Sequence, residues 1–310
     1  MTHMRPSLPA FEFRLRARKA MKPVLSVLVV VTLIAMLPSL ISQTLVQLTD
    51  SDPSAAILAL YTDERMADLQ NPNVQVAANA LLEIERGIST FFEQKWPFLA
   101  LQLALTLFVS PVLMLGFNHA LLKTLRREEL TNTTGLERLP LFFKAIGLTL
   151  MLALRLLLWM LPGMALALAG GVLIVFEPTI GLIIVLAALV LYFVLTTRAM
   201  YSYRLATYVM ADLPDIGVLA AIRRSRDVMK GRRMELFSLE ISFLGWALLL
   251  SLVQSMLLSM LGNVLGMTLG LFASFFLQLY FYMAEAAFYQ EYAVGPVASA
   301  EADPLTADQL

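Results

Sequence analysis

Residues 221–250 read AIRRSRDVMKGRRMELFSLEISFLGWALLL, and in this stretch a basic segment meets an almost uncharged apolar run. Six Lys and Arg residues fall within the eleven positions 223–233. A boundary of this kind is typical of a helix that enters a membrane from the cytoplasmic surface, because Lys and Arg are enriched in the loops on that side. The stretch therefore predicts a membrane-spanning helix that begins near Leu236 with its basic end in the cytoplasm.

The composition of the whole chain supports a membrane protein. Of its 310 residues, 59% are hydrophobic and only 15% are charged, whereas about 25% are charged in a typical soluble domain. The absence of Cys excludes disulfides, thiol nucleophiles and Cys-ligated metals. His3 and His119 alone do not predict a metal site, and we expect a structural or incidental role for each.

Six apolar segments each approach the roughly 20 residues that a hydrocarbon core requires. They are residues 24–48, 97–122, 145–176, 179–197, 236–258 and 261–289. Pro162-Gly163 predicts a kink in the third, since Pro removes a hydrogen bond within a helix. The first is longer than the apolar core of a signal peptide and no A-x-A site follows it, which favours a retained anchor. We expect an all-α, polytopic transmembrane helical bundle of about six spans over residues 24–289.

The distribution of basic residues predicts the orientation. Nineteen of the 23 Lys and Arg residues lie before Val24 or in the segments 123–144 and 198–233, whereas the loop 49–95 has three and Arg155 lies within the third apolar segment. With six spans, both termini are then cytoplasmic. Residues 1–23 form a basic tail in this interpretation, and residues 290–310 form an acidic tail whose Pro, Ala and Asp content predicts disorder.

The outer loop 49–95 contains its own helical pattern. Within Val74 to Phe92, apolar residues recur near helical spacing with Glu83, Glu85 and Arg86 between them. We expect an amphipathic helix that acts as a lid or connector, with a receptor role as the alternative.

A second amphipathic helix is expected on the cytoplasmic surface over residues 214–231. Pro214 suits the first turn of a helix and Gly231 suits its stop. Its basic residues, with the two that follow it, are candidate contacts for anionic lipid headgroups. These candidates are Arg223, Arg224, Arg226, Lys230, Arg232 and Arg233. The same residues are equally explained as the topology signal for the next span, and both interpretations stay open.

The region from Asp212 to Leu249 resembles a known family. The order is Asp212-x-Pro214, Ala221-Ile222, Ser225, Met229-Lys230-Gly231, Leu236-Phe237, Ser242-Phe243, Gly245-Trp246 and Leu248-Leu249, followed by Ala287-Phe288-Tyr289. This order is similar to the signature of the bacterial integral membrane family called domain of unknown function 975. The loop 49–95 and the charged Glu240 depart from the family pattern. The resemblance implies a multi-span protein of the bacterial inner membrane, and it implies no activity and no catalytic residues.

Two ionisable residues fall within predicted spans, where a charge is costly and is usually paired or faces a cavity. We expect Arg155 and Glu285 to form an ion pair or to share a polar pocket with Gln278, Tyr282 and Tyr289. Gly262, Gly266 and Gly270 recur every four residues, which predicts close approach of another helix. The polar stripe on this span is interpreted as a buried hydrogen-bonded seam, with the wall of a transport pathway as the alternative.

No motif in the sequence predicts catalysis. G-x-S-x-G, H-E-x-x-H and phosphate-binding Gly loops are absent. We therefore expect no enzyme activity, no cofactor, no metal and no nucleic-acid binding. The favoured function is a membrane scaffold or lipid-interacting module whose partners are membrane lipids; the alternative is a transporter of small solutes or lipids, and an unrecognised membrane enzyme is the least favoured. A protein partner or a homo-oligomer stays open.

Overall fold

The chain is all-α over the residues that a computed structural model describes, which are 8–69 and 71–294. The α-helices in chain order are α1 (Ala10–Met21), α2 (Leu25–Thr49), α3 (Pro53–Leu60), α4 (Asp63–Leu69), α5 (Val74–Ala104), α6 (Ser110–Leu125), α7 (Phe142–Phe176), α8 (Pro178–Tyr203), α9 (Ala206–Asp212), α10 (Val218–Val228) and α11 (Arg233–Tyr289).

Six helical stretches are long and apolar enough to cross a membrane. In order, spans one to six are Ala10–Leu60, Val74–Leu125, Thr134–Ile174, Pro178–Asp212, Arg233–Gly262 and Thr268–Val294. Large apolar side chains on these spans are exposed, for example Leu168 at 72% and Phe193 at 70%. Such exposure suits hydrocarbon and not water. The predicted all-α, polytopic fold is confirmed.

The chain divides into two compact units, and the smaller one comprises residues 35–111. Within it, Asp52 begins α3 by accepting a hydrogen bond from the Ser54 amide at 2.9 Å. The predicted amphipathic helix of the outer loop is the first part of α5, which buries Ala80 and Ile84. It is not a separate helix, because α5 continues without a break through Pro97 to Ala104 and is part of span two.

The larger unit comprises residues 1–34 and 112–310. Its first helix corrects the predicted basic tail, because residues 10–21 form α1 and pack against span six. Phe13, Ala17 and Met21 recur every four residues and are buried. The rings of Phe13 and Phe288 lie 5.4 Å apart. His3 and the other residues before Leu8 lie outside the described residues.

Glycines allow α7 and α8 to pack closely. A Cβ atom at Gly163 would lie 2.7 Å from the Cα of Tyr192, and one at Gly181 would lie 2.6 Å from the Cα of Ile174. These distances leave no room for a side chain at either glycine. The Pro162 that predicts a kink lies inside α7, which runs from Phe142 to Phe176.

The two spans of α11 are separated at Gly262. Its backbone has φ 75° and ψ 173°, a region that is essentially restricted to glycine. Gly262 therefore forms a turn and does not continue the predicted packing stripe. Gly266 and Gly270 do lie against span five, since their added Cβ atoms would meet the backbone of Leu258 at 2.8 Å and the side chain of Gln254 at 2.7 Å.

The predicted cytoplasmic helix is shorter than the sequence suggests. Residues 214–216 form a turn, and α10 begins at Val218 after an extended Gly217. Leu213 is also non-helical, as expected for a residue that precedes Pro. Gly231 ends the segment with φ 84°.

The last described residues continue the final helix of the chain. Gln290–Val294 form a π-helical turn after α11. The predicted acidic tail therefore begins with ordered structure, and residues 295–310 lie outside the described residues.

Replacing Gly163 with Ala should destabilise the hairpin of α7 and α8. The added methyl group would overlap the backbone of Tyr192, and overpacking of this kind costs about 1–3 kcal/mol. Gly171→Ala, in the same helix, is the matched control because no atom lies within 4 Å of its added Cβ. Thermal unfolding in detergent should show a lower Tm for the first variant alone. Equal Tm values for the two variants would contradict this packing.

Candidate functional site

The centre of the candidate site is a buried ion pair between Arg204 and Glu285. Glu285 lies on span six and is 2% exposed. Arg204 directly follows α8, and its Nε donates to Glu285 Oε1 at 2.5 Å while its Nη2 lies 3.4 Å from Oε2. A carboxylate buried in this way is stable only when it is paired and hydrogen-bonded. The guanidinium therefore holds the end of α8 against span six.

Tyr208 completes the surroundings of the carboxylate. Its hydroxyl lies 3.4 Å from Glu285 Oε2 and 3.3 Å from the carbonyl oxygen of Tyr282. The Tyr282 ring packs edge-on against Phe117 with centroids 5.5 Å apart, which brings α6 to the same place. Both oxygens of Glu285 are thus engaged by protein groups.

A second ion pair extends the network towards the end of α6. Tyr208 stacks on Tyr289 with ring centroids 5.8 Å apart. The Tyr289 hydroxyl donates to Asp212 Oδ2 at 3.1 Å, and Arg126 Nη1 lies 2.7 Å from Asp212 Oδ1. The Nε of Arg126 donates to Gln290 at 3.0 Å. The network therefore joins the loop after α6 to α9 and span six.

The pKa of Arg126, which lies outside the spans, is raised above its ordinary value. Burial of the guanidinium opposes its charge, but the hydrogen bond to Asp212 and the charge of that carboxylate outweigh the burial. Arg126 is therefore a permanent cation in this network.

Arg155 does not form the predicted pair with Glu285. Its Cζ lies 5.8 Å from the ring centroid of Tyr203, and within the described ranges it makes no ion pair. The prediction failed because depth along two helices does not determine which helices are neighbours. Span six meets the end of α8, and Arg204 is the cation at that contact.

The other residues predicted for this pocket take different positions. Tyr282 and Tyr289 belong to the network, but Gln278 is exposed and lines a groove between spans five and six. That groove has a volume of about 470 Å³ and also contains Glu240 and Gln254. The hydroxyl of Tyr201 donates a short hydrogen bond to Glu240 on span five, so this carboxylate is also engaged.

Sequence reasoning missed Arg204 because it was counted as a loop residue. The segment from Ala199 to Met210 contains a single charge, at Arg204, among apolar and aromatic residues. A lone charge in such a segment is a signal of a buried, paired cation. Ala199, Leu205 and Ala206 are indeed buried beside it.

The basic residues predicted to contact lipid fall into two groups. Arg223, Arg224, Arg226 and Lys230 are exposed. Arg232 and Arg233 are only partly exposed, and Arg232 Cζ lies 3.9 Å from the ring centroid of Tyr292 while its Nη1 lies 3.6 Å from Glu235. Arg232 is therefore engaged by side chains of the protein itself.

The apolar face of α10 packs on protein. Ala221, Ile222 and Ser225 are fully buried, and the Ser225 hydroxyl donates to the carbonyl oxygen of Ser202 at 3.1 Å. Packing against α7, α8 and α9 accounts for this burial. The helix consequently presents its basic face to the surroundings.

Polar clusters elsewhere do not resemble a metal centre. In the part of the chain that the structure describes, no group of three His, Asp or Glu side chains is arranged to hold a metal ion. His119 instead lies between Glu137 and Arg138, with Nε2 3.2 Å from Glu137 Oε2 and Nδ1 3.1 Å from Arg138 Nη2.

Comparison with known proteins identifies a family but no activity. Residues 13–293 match the model of a family described as protein of unknown function, DUF975, which confirms the resemblance seen in the sequence. No curated protein and no solved structure matches the chain significantly.

Removing one partner of the buried pair should be more harmful than removing both. Arg204→Leu or Glu285→Leu leaves an uncompensated charge and should each cost about 3–5 kcal/mol, whereas the double variant removes both charges. Thermal unfolding in detergent of the two single variants and the double variant measures the coupling between the two sites.

Arg155→Leu is the matched control for this comparison of single and double variants. It removes a cation from a span without breaking an ion pair among the described residues, and loss of its contact with Tyr203 should cost only about 1 kcal/mol. Additive losses in the double variant, or a loss in Arg155→Leu equal to that in Arg204→Leu, would show that the pair is not the stabilising unit.

Proposed function

This chain belongs to the DUF975 family of proteins of unknown function, and from that premise we propose that it is a non-catalytic membrane scaffold that binds anionic lipid headgroups through α10. The observation that supports the proposal most directly is the division of α10 into a face buried in the protein and an exposed basic face. The membrane proposed is the inner membrane of a bacterium, with both termini in the cytoplasm.

The exposed cations of α10 are available to a ligand. Among the described residues, Arg223, Arg224, Arg226 and Lys230 make no ion pair. The Nη2 of Arg224 reaches only the carbonyl oxygen of Ala293, at 3.4 Å. Each basic residue near an anionic leaflet contributes about 1 kcal/mol. Three such residues on one short helix, with Lys230 just after its end, therefore favour a negatively charged lipid surface.

Two acidic side chains within the spans are engaged by protein groups, which favours a scaffold over a transporter. The carboxylate of Glu285 is buried and engaged by Arg204 and Tyr208, and Glu240 is engaged by Tyr201. A transported ion or polar solute would need such groups to be free or to face water. These contacts support the interpretation of span six as a structural seam.

Anionic lipid should stabilise the protein through α10. In detergent, added phosphatidylglycerol should raise the Tm of the full chain more than phosphatidylcholine does, since a ligand stabilises the state that binds it. The variant R223Q/R224Q/R226Q/K230Q should lose part of this difference. High salt should weaken it in the wild-type protein.

The variant R223K/R224K/R226K is the matched control because it keeps the number of positive charges on α10. It should retain the preference for phosphatidylglycerol. If the Gln variant keeps the full preference, lipid binding by α10 is wrong and the basic residues serve topology alone.

The orientation can be tested with single Cys residues, because the natural chain has none. Glu64 and Glu129 are both exposed and lie on opposite sides of span two in the chain. In intact cells, Cys at Glu64 should react with a membrane-impermeant maleimide, and Cys at Glu129 should react only after the membrane is permeabilised. The reverse pattern would overturn the proposed orientation.

A further inference from the structure

A groove in the larger unit has a polar end made by α1. Its cations are Arg14, Arg18 and Lys22, which follow one another at intervals of four and therefore lie on one side of the helical segment. The buried face of the same segment carries Phe13, Ala17 and Met21. Packing thus directs three positive charges away from the contact with span six.

The rest of the groove is mainly apolar. It has a volume of about 490 Å³, and spans five and six supply its other wall. Besides the three cations, its lining residues are Met21, Leu25, Trp246, Phe276, Leu277 and Tyr280. Trp246 is 55% exposed and Phe276 is 43% exposed, so large aromatic surfaces are open to a ligand.

The described residues provide no counter-charge in the lining of this groove, because none of its lining residues is acidic. Arg18 and Lys22 are exposed and make no ion pair with any described residue. Arg14 donates to the carbonyl oxygen of Ser242, at 3.4 Å. The Tyr280 hydroxyl donates to the carbonyl oxygen of Arg14 at 3.1 Å and fixes the helix at the rim.

We propose that this groove binds one anionic glycerophospholipid. The headgroup phosphate lies at Arg14, Arg18 and Lys22, and an acyl chain lies along Trp246, Phe276 and Leu277. A ligand that satisfies both parts of the groove must join a negative charge to an apolar chain. Soluble phosphate would leave the apolar wall uncovered, and a zwitterionic lipid would place its own ammonium group beside the three cations.

This site is separate from the lipid surface of α10. None of its lining residues belongs to α10, and the inference holds whether or not α10 binds lipid. The two proposals can therefore fail independently.

Trp246 gives a direct readout of occupancy. In the full chain with W96F/W159F, Trp246 is the one remaining Trp. Titration in detergent with phosphatidylglycerol brominated on its acyl chains should quench its fluorescence saturably. Brominated phosphatidylcholine with the same chains should bind about 125-fold more weakly, because each of the three cations near an anionic headgroup contributes about a factor of five.

Substitution of the two exposed cations tests the polar end. R18Q/K22Q should reduce the preference for phosphatidylglycerol by about 25-fold, the product of two such factors. The charge-conserving variant R18K/K22R should keep it, and so should R223Q/R224Q on α10. Equal quenching by the two lipids, or an unchanged preference in R18Q/K22Q, would overturn the proposal.

Two further experiments identify the ligand that occupies the groove. Glycerol 3-phosphate at millimolar concentration should not displace the brominated lipid, and displacement would show that the groove holds soluble phosphate instead. Native mass spectrometry of the chain with its natural Trp residues should retain phosphatidylglycerol in preference to phosphatidylcholine. In a chain that also carries R223Q/R224Q/R226Q/K230Q, R18Q/K22Q should remove that preference, and its persistence would contradict the assignment.

Discussion

The burial of the Glu285 carboxylate is the constraint on which the larger unit depends. A charge without water must be paired, and the pairing with Arg204 fixes where α8 ends relative to span six. Tyr208 follows Arg204 by four residues and lies on α9, so the helix that follows the turn at Arg204 supplies the second partner of the carboxylate. Its stacking on Tyr289 then leads to Asp212 and Arg126. One buried charge thus orders groups from three separate regions of the sequence.

Hydropathy and charge predicted most of the fold, because the bilayer requires long apolar helices and loops rich in Lys and Arg identify their ends. The number of spans followed from that requirement, but their limits did not, since span two begins at Val74 and not near Pro97. Helix α1 was missed because its apolar residues, Phe13, Ala17 and Met21, form a narrow stripe among basic residues, and only contact with span six makes that stripe a helix face. The start of α10 was placed too early because Pro214 suits a turn as well as a first helical turn.

The site was less predictable than the fold, for a physical reason. The sequence identifies a charge that is energetically costly to bury, such as that of Glu285. The identity of its partner depends on which helices pack together. Arg155 and Arg204 were both candidate cations by type, and only the contact between α8 and span six selects Arg204. In the same way, the six basic residues near α10 were alike in sequence, yet Tyr292 and Glu235 pack against Arg232 and leave it only partly exposed.

Both amphipathic helices of the larger unit use their apolar faces inside the protein. For α10 the buried face carries Ile222 and Ser225, and for α1 it carries Phe13 and Ala17. A helix bound to a membrane through its apolar face would have to leave those contacts. Because the protein already buries these apolar residues, the attraction that we propose between α10 and lipid is electrostatic, whereas aromatic surfaces contribute to the site proposed beside α1. This difference is why we propose that α10 contacts any anionic leaflet and that the groove beside α1 holds a single lipid molecule.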